Sequence, residues 1–174
     1  MRLPLSSGAR ANARVAGLFV IITLFAACVS QPPSSTMTLS FVGINDIHGQ
    51  LAATEEHGSL VDISAYINAL RQARAADGGV VVVLDAGDMW QGTLASNLTE
   101  GASMVEAYNA LGVAAAAIGN HEFDFGPVGP AAIPMQAGDD PRGALKQRAR
   151  EAEFPLLAAN LIDDATGQPV DWEN

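Results

Sequence analysis

The 174-residue chain is poor in several things at once: one cysteine, three histidines, and nine lysines and arginines against nineteen acidic residues. A lone cysteine cannot close an internal disulfide, so no covalent staple stabilises the fold. Scarce basic residues exclude a broad positive face, and with it a nucleic-acid polymer as partner. Long apolar runs are also missing. "VAGLFVIITLFAA" (15 to 27) offers thirteen mostly apolar residues, short of the roughly 20 that a membrane-spanning helix needs. The chain has no internal repeat. What it does have is 49% hydrophobic residues, ample for the packed core of one domain or part of a larger one.

The apolar run belongs to an export signal over residues 1 to 28. Arg2, Arg10 and Arg14 precede it with no acidic residue among them, and the small Ala26 and Ala27 follow, just before Cys28. "LFAAC" resembles the lipobox of bacterial lipoproteins, with Phe25 where leucine is usual. Cys28 is therefore a candidate lipidation site, and simple cleavage into the periplasm is the alternative. Either route puts the mature chain in the periplasm or cell envelope, with a lipid anchor as its only link to a membrane. Without the signal, six basic residues face nineteen acidic ones, a net charge of −13. A protein so acidic can hold an anionic substrate only if bound cations reverse the local field.

After a polar Pro/Ser-rich tether (29 to 37), the pattern becomes regular. "TLSFVGIND" (38 to 46) predicts a strand. "GSLVDISAYINALRQARAA" (58 to 76) predicts a helix with Leu60, Ile63, Ile67 and Leu70 on one stripe. "VVVVL" (80 to 84) reads as a central strand covered on both sides. "GASMVEAYNALG" (101 to 112) predicts a helix burying Met104, Tyr108 and Leu111 and stopped by Gly112. "VAAAAIG" is a strand by its flanks. A helix over roughly 142 to 153 then precedes a strand in "FPLLAANLI" (154 to 162). Such alternation implies an α/β fold of βαβ units, a mostly parallel sheet with helices on its faces.

That layout gives the polar residues an address. The strands end in Asp46-Ile47-His48, in Asp85-Ala86-Gly87-Asp88, in Asn120-His121-Glu122 and in Asn160. Ligands of open α/β sheets bind beyond the carboxyl ends of the strands. Asp-x-His in an extended segment points both side chains to one side, and "GNHE" puts hard and imidazole donors directly after a buried strand. Each motif alone also has a plain alternative, such as a solvated turn or a capping asparagine. Their shared position and order favour a metal site. His57 among charges reads as solvated, Met89 and Trp90 as core, Asp85 as a turn or supporting residue, and "ADGGV" as a turn.

"NDIHGQL", "LDAGDMWQGT" and "AIGNHEFDFG" resemble the first three motifs of the calcineurin-like metallophosphoesterases, in the bacterial 5′-nucleotidase and UDP-sugar hydrolase branch. The likeness runs from about Ser40 to Leu161. It implies a dinuclear centre of two divalent metal ions (zinc, manganese or similar) that hydrolyses a small phosphoester or nucleotide. Asp46 and His48 match ligands of the first metal, Asp88 the bridging carboxylate and Asn120 an amide ligand of the second. His121 and Asp124 match the catalytic pair, Asn120 and His121 also lie against substrate, and Glu122 supports the loop. The family's later histidine ligands have no counterpart here, since only His48, His57 and His121 exist. The expectation is that 38 to 174 is the N-terminal portion of a catalytic domain and inactive alone. Two alternatives stand beside it: the same centre acting on cyclic nucleotides or sulfur esters, and a non-catalytic relic.

Overall fold

The computed structural model describes residues 36–55 and 58–170. The export signal, Cys28, His57 and most of the tether lie outside the described residues.

Four parallel strands form one sheet in the order β1-β2-β3-β4. The strands are β1 (Leu39–Ile44), β2 (Val80–Asp85), β3 (Ala115–Ala117) and β4 (Leu156–Leu157). Between β1 and β2 runs α1 (Leu60–Asp77), whose start is fixed by a capping box. Ser59 accepts from the Asp62 N–H while the Asp62 carboxylate takes the Ser59 N–H, and Gly78 closes the far end in the left-handed region. The next crossover holds α2 (Leu94–Asn97), capped by Thr93, and α3 (Ala102–Leu111), which stops at left-handed Gly112. A single 3₁₀ turn (His121–Phe123) follows β3, and α4 (Gly143–Glu151) leads to β4. The alanine run becomes strand because parallel partners flank it on both sides, context overriding its helical preference. "FPLLAANLI" pairs only at Leu156 and Leu157, and Ile162 instead makes an antiparallel bridge to Pro169.

Sequential strand order has a consequence. Right-handed crossovers that always step in the same direction deliver every helix to one face. On that face Ile44, Val83 and Ala116 are buried with Leu60 and Ile67 of α1, Met104, Tyr108 and Leu111 of α3, and Leu145 of α4. The stripe expected on α3 is the one that packs, and of the stripe on α1 Leu60, Ile63 and Ile67 join the core while Leu70 does not. Arg148 fastens α4 in place, donating from Nη1 to the Thr99 carbonyl (2.8 Å) and pairing through Nη2 with Glu151 (2.9 Å).

The other face is different. By register Leu39 neighbours Val80, and Phe41 neighbours Val82. Among the described residues, Leu39, Phe41, Val80, Leu84 and Leu157 stay exposed there, Phe41 by 66%. The cover on both faces expected for β2 is thus absent among the described residues, because the topology never reverses direction.

Candidate metal centre

The loops that leave β1 and β2 are stitched together by their own backbones, and the loop after β3 is tied to the second by the Asp88 and Glu122 carboxylates. Asp46 N–H donates to the Gly87 carbonyl (3.0 Å), His48 N–H to Asp88 (3.0 Å) and Gly49 N–H to Met89 (2.8 Å). The sheet ladder is thereby prolonged past the strand ends, which sets the first loop against the second. Four non-glycine residues among those described have φ in the left-handed region, and three are Asp46 (52°), His48 (49°) and Asp88 (61°). Such backbone costs on the order of 1 to 3 kcal/mol per residue and concentrates at functional sites. The extended Asp-x-His geometry expected from spacing is therefore not what occurs. Left-handed turns at both residues bring His48 Nε2 to 3.7 Å from Asp46 Oδ1 instead.

Tautomers follow from the partners. His48 Nδ1 lies 2.9 Å from the Gln91 carbonyl oxygen, which can only accept, so Nδ1 carries the proton and Nε2 keeps its lone pair for a ligand. His121 Nδ1 lies 2.6 Å from Asp124 Oδ2. That bond, more than any other influence, holds the His121 pKa above the ordinary histidine range. The His121 backbone N–H donates to Asp88 Oδ1 (3.0 Å), and the His48 and His121 rings meet edge to face with centroids 5.0 Å apart.

His48, Asp88 and His121 each offer a ligand atom, and these atoms all lie within 4.8 Å of one another. Imidazole nitrogens with carboxylate oxygen suit zinc, manganese and similar divalent ions, so the donor set fits such a cation. Asp46 adjoins this group through His48. Asn120 is exposed and heads the 3₁₀ turn without making a capping bond; the capping alternative for it fails. Asp124 closes the 3₁₀ turn, its N–H bonding the His121 carbonyl, and its carboxylate also sits against the imidazole. Asn160 falls in a turn beyond β4.

Residues 39–161 match the model of the calcineurin-like phosphoesterases. The chain belongs to that family of hydrolases. It is 33% identical over 135 residues to Protein UshA of Escherichia coli, covering 76% of this chain and 22% of that protein. Human 5′-nucleotidase is 31% identical over 141 residues, again 76% and 22%. A Vibrio vulnificus 5′-nucleotidase is 30% identical over 155 residues, 85% and 25%. The chain thus spans about a quarter or less of the length of these relatives. Among solved structures, the NAD nucleotidase of Haemophilus influenzae superposes with a TM-score of 0.56 at 27% identity, covering 74% of this chain and 22% of that one. The sulfate thiohydrolase SoxB of Thermus thermophilus shares the fold, with a TM-score of 0.58 at 20% identity over 80% of this chain and 32% of the other.

Within this calcineurin-like phosphoesterase, several supporting residues lie behind the candidate ligands. Asp85 is buried. Its Oδ2 accepts from the Tyr108 hydroxyl (2.7 Å) and its Oδ1 from the Gly87 N–H (2.6 Å). Burial dominates and pushes its pKa up to about 6 despite those two donors, with the Glu122 and Asp46 charges adding to the rise. Glu122 is 1% exposed, and burial likewise raises its pKa against the pull of its backbone donors. Gly119 is required by contact, since a Cβ there would stand 2.2 Å from Asp88 Oδ1. The Tyr108–Asp85 bond had no signal in the sequence: Tyr108 appeared only as one member of an apolar stripe.

Proposed function

We propose that this chain carries part of an exported, metal-dependent phosphoester hydrolase acting on nucleotides or UDP-sugar-like substrates. The observation that carries the reading is the convergence of His48, Asp88 and His121 within 4.8 Å at the carboxyl ends of three strands, with Asp46 and Asp124 in contact with the two imidazoles. Asp46, His48, Asp88 and Asn120 would hold two divalent cations, Asp88 bridging them. Such a pair supplies electrophilic stabilisation of the phosphoryl oxygens and an acidified water nucleophile.

The chain's own groups do the rest. His48 presents Nε2 because Gln91 occupies its Nδ1 proton. His121, oriented by the Asp124 bond at Nδ1, turns Nε2 toward the substrate, where its N–H would hydrogen-bond the transferring phosphoryl group or protonate the leaving oxygen. Neutral Asn120 adds an oxygen donor and no charge, leaving the loaded site attractive to a dianion. A cleft of about 310 Å³ opens beside Asp46 and His48, walled by Gln50 and by Ser59, Leu60 and Ile63 at the start of α1. That volume reaches the lower end of the range for small-molecule sites. UshA and the 5′-nucleotidases are the relatives that support a nucleotide substrate. The signal over residues 1 to 28 supports export, with Cys28 as a lipid anchor.

Few described residues can serve the second cation, so the chain by itself is expected to hydrolyse nucleotide monophosphates slowly. The test is metal content after loading with Zn²⁺ or Mn²⁺, together with phosphate release from AMP. The wild-type chain should retain metal through dialysis and Asp88→Ala should not. Equal retention by both would overturn the reading.

A further inference from the structure

Glu122 follows two residues of the candidate site and takes no place in it. Its carboxylate is almost wholly buried, which is costly unless every acceptor position is filled. They are filled entirely by peptide N–H groups. Oε1 accepts from Met89 (2.7 Å) and Trp90 (3.3 Å), and Oε2 from Asp88 (2.9 Å) and Gly119 (2.7 Å). Two of these donors flank or belong to the proposed bridging residue, and the fourth lies just before Asn120 and His121. One side chain therefore spans the loop after β2 and the loop after β3.

We infer that Glu122 is a positioning residue: it sets the distance between the Asp88 carboxylate and the Asn120-His121 pair, and so the size and affinity of the cation site. The inference rests on the metal-centre reading above. Three features make this more than packing. The Asp88 N–H that Glu122 holds belongs to a residue in the left-handed region, where an untethered Asp would relax. The contact between Asp88 Oδ1 and Gly119 is so close that no side chain fits between them, so the two loops have one mutual setting. Glu122 also brings a formal negative charge behind the ligands without using a coordination position. A glutamine of the same shape has one acceptor oxygen and an NH₂ that would face two peptide donors. It can satisfy only half of the clamp.

The experiment compares the 174-residue chain with Glu122→Gln and with Val83→Ala, a core change remote from the clamp. The first readout is amide hydrogen exchange in chelator. Glu122→Gln should speed exchange at Asp88, Met89, Trp90 and Gly119, and Val83→Ala should not do so selectively. The second is Zn²⁺ affinity by competition with a chromophoric chelator. Glu122→Gln should weaken binding by about 10- to 100-fold, the usual effect of losing a group that orients ligands, while Val83→Ala stays within about 2-fold of wild type. Should Glu122→Gln fail to fold, Glu122→Asp, which keeps the charge and shortens the reach, is expected to show the same loss. Unchanged exchange at the four amides, or unchanged Zn²⁺ affinity despite faster exchange, would overturn the inference. Absence of Zn²⁺ binding by wild type would instead overturn the metal-centre reading and the positioning role with it, and the exchange data would still report whether the clamp exists.

Discussion

Asp85 offers a quantitative test that needs no metal and no substrate. Its carboxyl is buried under the site and titrates near 6 instead of 3.8. Between those two values the folded state keeps a proton that the unfolded chain has released, so stability must fall as pH rises through this window. Ionising Asp85 inside the fold costs up to about 3 kcal/mol once pH is well above 6, at about 1.4 kcal/mol for each pH unit of displacement. The share expected between pH 5 and pH 7.5 is about 1.4 kcal/mol. Urea unfolding of the chain in excess chelator, followed by tryptophan fluorescence at those two pH values, measures it. His121 and Glu122 have raised pKa values too and add declines of the same sign, so the informative quantity is the difference from Asp85→Asn. Asparagine can keep the Tyr108 bond but presents its NH₂ to the Gly87 N–H. Absolute stability will therefore shift for reasons unrelated to titration, while the slope with pH should flatten by the stated amount. Tyr108→Phe removes a donor that favours the ionised form and should move the transition to higher pH. An Asp85→Asn variant as steeply pH-dependent as wild type would refute the assignment.

Other expectations concern the site and the sheet. Asp124→Asn removes the main cause of the elevated His121 pKa, so the imidazole should lose its proton at lower pH. Histidine proton resonances titrated in chelator will show this, and an unmoved titration would contradict the pairing. In a phosphate-release assay on loaded protein, His121→Ala should bring the slow rate of this chain down to the uncatalysed background, with metal content measured in parallel. Gly119→Ala drives a methyl into the Asp88 carboxylate and should weaken Zn²⁺ binding at least about 10-fold, read by chelator competition. Phe41→Ser on the uncovered sheet face removes exposed apolar surface and should reduce aggregation seen by light scattering, with the core, and hence the melting transition, little altered.

The parts that could be read from sequence are those governed by periodicity. The stripe of α3, and that of α1 apart from Leu70, pack as their spacing indicates, and Gly112 stops α3 in the expected conformation. That His48, Asp88 and His121 would come together was legible because strand ends converge, whatever the loop details. Three things were not legible, each for a physical reason. α2 has only four residues, too few to show a period. The left-handed backbone of Asp46, His48 and Asp88 depends on ladder bonds from a neighbouring loop. The bare sheet face depends on the order of strands, and hydrophobicity shows that Phe41 and Val80 want cover without saying where the crossovers go. Glu122 is an intermediate case. A carboxylate after "GNH" suggested loop support, and only the folded structure shows that it collects four peptide donors from two loops.

The left-handed backbone has an evolutionary corollary. Aspartate and histidine at 46, 48 and 88 occupy conformations that glycine adopts without effort, so chemistry there is maintained against the chain's own preference. Asp88→Gly would surrender the donor and relax the loop in one step, while the strands beneath it kept their form. Glycine at these positions would therefore ease the backbone, and the fold by itself gives no reason for two acids and an imidazole to stand there.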